Sequence, residues 1–166
     1  MIKVGDRIPD GTLMESTEFG EACPVSPNKV SVSEATQKKR IVIFGLPGAY
    51  TPTCSAKHVP GYLEKLPELK AKKVDEVWCV SVNDGYVMAA WGREQKAIGK
   101  VRMLGDGNGD FARKLGLEND LTGSNMGLRM RRFSMLVDDG IVKSINVEAP
   151  GKFEVSDAAT MLKQLV

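Results

Sequence analysis

Cys54 is the residue from which the chemistry of this 166-residue chain starts. It stands in Pro47-Gly48-Ala49-Tyr50-Thr51-Pro52-Thr53-Cys54-Ser55, just after an apolar run. Proline and glycine make a tight loop there, and a helix is expected to begin at Thr53 or Cys54. A sulfur in a first helical turn faces unpaired backbone N–H groups and the positive end of the helix dipole. Both favour the thiolate, the nucleophilic form of cysteine. The alternative is a core cysteine, because a free thiol packs as a small hydrophobe. His58 lies four residues on and would share a helix face with Cys54. It is either the base of a Cys–His pair or a hydrogen-bonding support for the loop, and spacing alone favours the support. A cysteine protease would also need a third group to orient the imidazole, and none can be identified.

Arg129, Arg131 and Arg132 cluster just before Phe133. A basic cluster is usually a solvated face or a strand-edge guard. A central strand can also deliver one arginine to the site at its neighbour's end. A guanidinium there would stabilise the thiolate and bind a polar substrate oxygen. The three cysteines, Cys23, Cys54 and Cys79, match neither a zinc spacing nor C-x-x-C, and there is one histidine. No disulfide framework and no structural metal site are expected, and free thiols are the default state in a reducing compartment.

The elements that must position these residues follow from the apolar pattern. Ile41 to Leu46 and Val77 to Val82 are continuous apolar runs of the kind found in strands buried on both faces. Between them, Ser55 to Lys73 carries Val59, Tyr62, Leu63, Leu66 and Leu69 at helical spacing, with a kink or early end expected at Pro60 and Pro67. This is a βαβ unit, so the two strands should be parallel. Tyr86 to Ile98 is predicted as a helix capped by Asn83 or Asp84, with Val87, Ala90, Trp91 and Ile98 inward. Val101 to Leu104 is a short strand and Gly109 to Leu115 a short helix. Phe133 to Val137 and Ile141 to Val147 flank an Asp-Gly turn and read as a hairpin. Ser156 to Val166 closes the chain as a helix, with Ser156 as N-cap and Ala159, Leu162 and Val166 inward. Gly11 to Pro27 reads as a long surface loop or loose hairpin. The sum is a single α/β domain over residues 1–166, a mixed central sheet with helices on both faces, which fits a thioredoxin-like fold.

Composition excludes several classes of function. Lys plus Arg is 23 and Asp plus Glu 21, a net charge of +2 that gives no electrostatic case for nucleic acid or an anionic membrane surface. Hydrophobic residues are 42%, which argues against disorder, yet no run approaches the roughly 20 apolar residues that cross a bilayer. Met1 to Asp6 has no apolar h-region and no small-residue cleavage site, so a cytoplasmic location is expected.

The loop from Pro47 to Ser55 resembles the active-site loop of the peroxiredoxins. The stretch from Phe44 through His58-Val59-Pro60-Gly61 is similar to the type II, or peroxiredoxin-five, subgroup. Cys79-Val80-Ser81-Val82-Asn83-Asp84, Trp91-Gly92, Gly99-Lys100-Val101-Arg102 and Arg132-Phe133-Ser134-Met135 extend the resemblance over nearly the whole chain. It implies a thiol peroxidase acting on hydrogen peroxide and small alkyl hydroperoxides, with no metal, haem or flavin cofactor. It implies that Cys54 is the peroxidatic nucleophile, that Thr51 contacts thiolate and peroxide, and that Pro47 shields the sulfur. It also makes Arg132 the family arginine, Arg129 a second basic residue and His58 a supporting one. A homodimer formed through the face near the active-site loop is implied too, with Tyr50 and Trp91 either as contributors or as ordinary core or surface aromatics.

Certain type II members carry a C-terminal resolving cysteine, and no cysteine follows Cys79 here. The leading expectation is therefore reduction of oxidised Cys54 by glutathione, with or without glutaredoxin. Cys79, inside an apolar run, reads as buried and inert, the alternative being a resolving thiol reached by local unfolding. Cys23, in a polar loop, could resolve Cys54 in a thioredoxin-dependent cycle. A redox sensor on the same fold and a thiol–disulfide oxidoreductase are the other readings, and the missing C-x-x-C argues against the second.

Overall fold

Apolar residues that alternate between the two sides of one sheet build this architecture. The computed structural model describes residues 1–165. β1 (Thr12–Glu15) and β2 (Asn28–Ser31) pair as a hairpin and lead into a single helical turn, α1 (Val32–Ala35). β3 (Arg40–Gly45) is followed by the Pro47 loop, a π-helical turn (Cys54–His58), α2 (Val59–Glu64) and α3 (Leu66–Ala71). Next come β4 (Glu76–Ser81), α4 (Gly85–Glu94), β5 (Arg102–Gly105) and α5 (Asp110–Leu115). A second hairpin joins β6 (Glu118–Leu121) to β7 (Gly127–Met130), before β8 (Phe133–Asp138), β9 (Ile141–Val147) and α6 (Ala158–Gln164).

The main sheet has the order β2-β1-β5-β4-β3-β8-β9. Its β3–β4 and β4–β5 pairs are parallel and the other pairs antiparallel, so the sheet is mixed, as predicted. Because successive side chains on a strand point to opposite faces, Val42, Phe44, Cys79 and Met103 pack with α2, α3, α4 and α6 on one side. Ile41, Ile43, Trp78, Val80 and Leu104 pack on the other, with α1 and α5. Helices cover both faces, the thioredoxin-like arrangement.

The structure corrects the sequence reading at several points. The helical stretch from Ser55 to Lys73 is broken into three segments, with the breaks near Pro60 and Pro67 as expected. Pro60 lacks the N–H that an α-helical register would use, and the preceding turn widens so that the Val59 N–H reaches the Cys54 carbonyl. Pro67 falls in the first turn of α3, where no donor is needed. α4 ends at Glu94 rather than Ile98, is capped by Asp84, and buries Met88, Ala89 and Trp91, while Ala90 is only half-buried. In α6 the N-cap is Asp157, whose carboxylate accepts from the Thr160 N–H, because Ser156 is bound elsewhere. The helix is thereby rotated: Ala158, Met161 and Leu165 are buried and Ala159 is exposed, while Val166 lies outside the described residues. The Gly11–Pro27 stretch contains β1 and a small turn closed by a Phe19–Pro24 bridge.

Two strand ends create the site. β3 and β8 run antiparallel with Gly45, the last residue of β3, opposite Phe133, the first of β8. The chain leaving Gly45 therefore starts beside the chain arriving through Arg132. Gly45 is required there, since a Cβ would lie 2.1 Å from the Phe133 ring and 2.7 Å from the Met130 sulfur.

Candidate active site

Helical conformation begins at Pro52, so Cys54 sits in the first turn, as the sequence predicts. Its side chain is fully buried. Arg132 Nη2 donates to Cys54 Sγ at 3.2 Å, and Arg132 Nη1 lies 2.9 Å from His58 Nδ1. One guanidinium fork thus spans two side chains that share a helix face. The sulfur accepts a charge-assisted hydrogen bond from the guanidinium.

His58 is set by contacts on both ring nitrogens. Nε2 lies 3.1 Å from the Ser156 carbonyl, an acceptor, so Nε2 carries the proton and Nδ1 is left to accept from Arg132. Burial, and then the Arg132 charge, lower the imidazole pKa to about 3, so the ring is neutral. His58 makes no hydrogen bond to Cys54, and the geometry is that of a support rather than a Cys–His pair. Phe44 completes the pocket wall, 4.7 Å from the His58 ring and stacked on Tyr62 at 4.2 Å.

The Ser156 carbonyl also accepts from the Tyr62 hydroxyl at 3.1 Å, and this junction is held from behind by Glu148. The buried Glu148 carboxylate accepts from the backbone N–H groups of Glu154, Val155 and Ser156 and from the Ser156 hydroxyl, all between 2.7 and 2.9 Å. Burial alone would raise its pKa, but these bonds outweigh it and the net shift is downward. A continuous chain therefore runs from Glu148 through Ser156, His58 and Arg132 to Cys54. Sequence reasoning missed Glu148, Ser156 and Tyr62. Tyr62 carried only a core signal, and Glu148 is one carboxylate in a polar stretch.

The Pro47 loop is tied down locally. The Thr51 hydroxyl donates to the Gly48 carbonyl at 2.8 Å and makes no hydrogen bond to Sγ. Arg129 donates from Nε to the Met126 carbonyl at 3.0 Å and from Nη1 to the Pro47 carbonyl at 3.4 Å, linking the β6–β7 hairpin to the loop. Pro47 is half-buried. Asn83 receives the Ala49 N–H at 2.9 Å and the Ser81 hydroxyl at 2.6 Å. Its signal was available, because Asn83 follows β4, whose end lies beside that of β3 in a parallel pair. Trp91 is buried and donates to the Ser55 hydroxyl at 3.0 Å, so it is core rather than an interface residue. Tyr50 is 50% exposed and takes a positive φ of 64°.

All three cysteines are free. Cys79 is fully buried on β4 opposite Phe44; burial, with Cys54 adding to it, pushes its thiol well up. Cys23 is exposed, in a turn pinned to α4 by Arg93, which donates to the Ala22 carbonyl and stacks on Phe19. Among the described residues no helix is long and apolar enough to cross a membrane. Nor does any group of three His, Cys, Asp or Glu side chains there come close enough to hold a metal ion.

The redoxin family pattern matches residues 3–162. The chain belongs to the redoxin family. It is 46% identical to peroxiredoxin-2B of Arabidopsis thaliana over 164 residues, covering 99% of this chain and 98% of that one. It is 45% identical to the chloroplastic peroxiredoxin-2E of the same plant, covering 99% of this chain and 69% of that protein. Among solved structures, reduced Prx3 of Vibrio vulnificus in complex with H2O2 superposes with a TM-score of 0.92 at 44% identity, each chain covered over its full length. The redoxin is a peroxiredoxin-type thiol peroxidase.

Proposed function

We propose that residues 1–166 form one redoxin domain in which Cys54 is the peroxidatic nucleophile and Arg132 its electrostatic partner, with Thr51 and Pro47 completing the peroxide site. The observation that carries this reading is the Arg132 fork, with Nη2 at 3.2 Å from Sγ and Nη1 held by His58. The Cys54 thiolate attacks the terminal oxygen of a hydroperoxide. The S–O bond forms as the O–O bond breaks, and the leaving hydroxide or alkoxide takes a proton from water. Sulfur gives up two electrons and becomes a sulfenic acid. A fixed donor aimed at both sulfur and the departing charge lowers that barrier without reorganisation. The Thr51 hydroxyl turns from the Gly48 carbonyl toward the peroxide, and Arg129 holds the loop through Pro47.

The reductant is glutathione, with or without glutaredoxin. A glutathione thiolate attacks the sulfenic sulfur, the S–O bond breaks, and hydroxide leaves as water once protonated. A second glutathione then releases glutathione disulfide and restores Cys54. The deep burial of Cys79 and the Arg93-pinned turn around Cys23 support this reading over an internal disulfide. The enzyme acts in the cytoplasm as a homodimer. The test is a Cys23→Ser/Cys79→Ser variant assayed with glutathione and glutaredoxin. Sustained turnover is expected, and loss of turnover with intact oxidation of Cys54 would require a resolving cysteine and a thioredoxin-type reductant.

A further inference from the structure

A cavity of about 120 Å³ opens beside Arg132, between the 149–152 turn and the β6 edge. Thr53, the neighbour of Cys54, lines it together with Asn119, Arg131, Arg132, Glu148 and Lys152. Three cations and one carboxylate therefore share this space. The Glu148 carboxylate offsets one of these charges at most, and its oxygens are turned to the amides of residues 154–156 and the Ser156 hydroxyl rather than to the cations. Arg131 bonds the Glu148 backbone carbonyl instead, at 3.3 Å. Among the described residues, none of Arg131, Arg132 and Lys152 forms a salt bridge. Arg132 is committed to Sγ and His58. Arg131, Lys152 and the Asn119 amide remain beside Thr53, the residue before Cys54, an excess of positive charge with no ion-pair partner among the described residues.

We infer that this cavity is a carboxylate subsite, in which Arg131 and Lys152 seat a carboxylate of the peptidic thiol that reduces Cys54. The inference rests on the glutathione reading above and deepens it. A peptidic thiol brings its sulfur and a carboxylate on one short backbone, so anchoring the carboxylate beside Thr53 holds the thiol over Cys54. That is the positional advantage that makes an intermolecular attack effectively intramolecular. The step itself is unchanged: the thiol sulfur bonds to the sulfenic sulfur, the S–O bond breaks, and water is released.

The test compares reduction of the Cys54 sulfenic acid by glutathione and by uncharged 2-mercaptoethanol in stopped flow. The readout is the ratio of the two rate constants. Lys152→Gln should lower that ratio roughly threefold and Lys152→Gln with Arg131→Gln roughly tenfold, as expected for partly exposed ion pairs. Lys152→Glu should lower it further, and added salt should erase part of the wild-type preference. An unchanged ratio in all three variants would overturn the subsite while leaving glutathione as the reductant. S-methylglutathione, which cannot react, supplies a second readout in a titration of the reduced protein. Binding that weakens in Lys152→Glu supports the subsite even if glutathione fails to turn the enzyme over, a result that would sink the glutathione reading alone. Binding that is equal in wild type and Lys152→Glu counts against the subsite. A shift confined to oxidation rates with carboxylate-bearing hydroperoxides would reassign the cavity to the peroxide substrate and overturn the inference.

Discussion

Burial and the Arg132 guanidinium hold His58 neutral down to about pH 3, and that protonation state fixes which nitrogen meets Arg132. The unfolded chain takes up this proton near pH 6.5 and the native chain only near 3, so the unfolded state binds more protons between those values. Stability should be independent of His58 above about pH 6.5 and fall on acidification through this window, by at most about 1.4 kcal/mol per pH unit. Urea midpoints against pH test this. In His58→Gln the decline should begin only in the carboxylate range, where Glu148, held below its ordinary value, adds a loss of the same sign. A second prediction concerns Arg132. Arg132→Gln removes the Nη2 donor to Sγ and should slow oxidation by hydrogen peroxide about 100-fold or more, read by stopped flow. Arg132→Lys should recover only part of the rate, because an ammonium is a single point charge and cannot bridge His58 and Cys54 as a planar fork does.

Elements bring these residues together, and the close approach of β3, β7 and β8 is the critical one. Gly45→Ala would drive a methyl into Phe133 and Met130 and should cost about 3 kcal/mol, measured as a shift of the urea midpoint. Glu148→Gln leaves at least one of the 154–156 amides without a carboxylate oxygen. It should cost about 2 kcal/mol and, by loosening the Ser156 carbonyl under His58, slow the peroxide step too. The βαβ unit and the β8–β9 hairpin were legible because Ile41–Leu46 and Val77–Val82 are continuous apolar runs and Asp139-Gly140 supplies the two positive φ values of the turn. The π-helical turn was half legible: Pro60 announced a break, while its effect on the register depends on the Val59 to Cys54 hydrogen bond. The four-residue strands β6 and β7 show no clear alternation, since their order comes from pairing with each other rather than from a buried face. Glu148 was illegible for a related reason. Its partners are backbone amides six to eight residues on, gathered only when the 149–152 turn forms, and no side-chain pattern records them.

At the scale of the whole molecule, the proposed site lies where β3 ends, β8 begins and the β9–α6 connection folds back over both. The burial of Cys54 and His58 follows from that convergence, while Cys23 stays exposed in a turn held to α4. The 50%-exposed Tyr50, held at positive φ on the loop apex, marks the face through which a homodimer is expected to form. Sedimentation at micromolar concentration should give a dimer that Tyr50→Ala weakens, and a wild-type monomer would count against it. The most direct test of the account is intact mass under non-reducing conditions after one equivalent of hydrogen peroxide, with Cys54→Ser alongside. The account predicts a gain of one oxygen atom that is absent in Cys54→Ser. A loss of two hydrogens instead, or an oxygen gain that survives in Cys54→Ser, would contradict it.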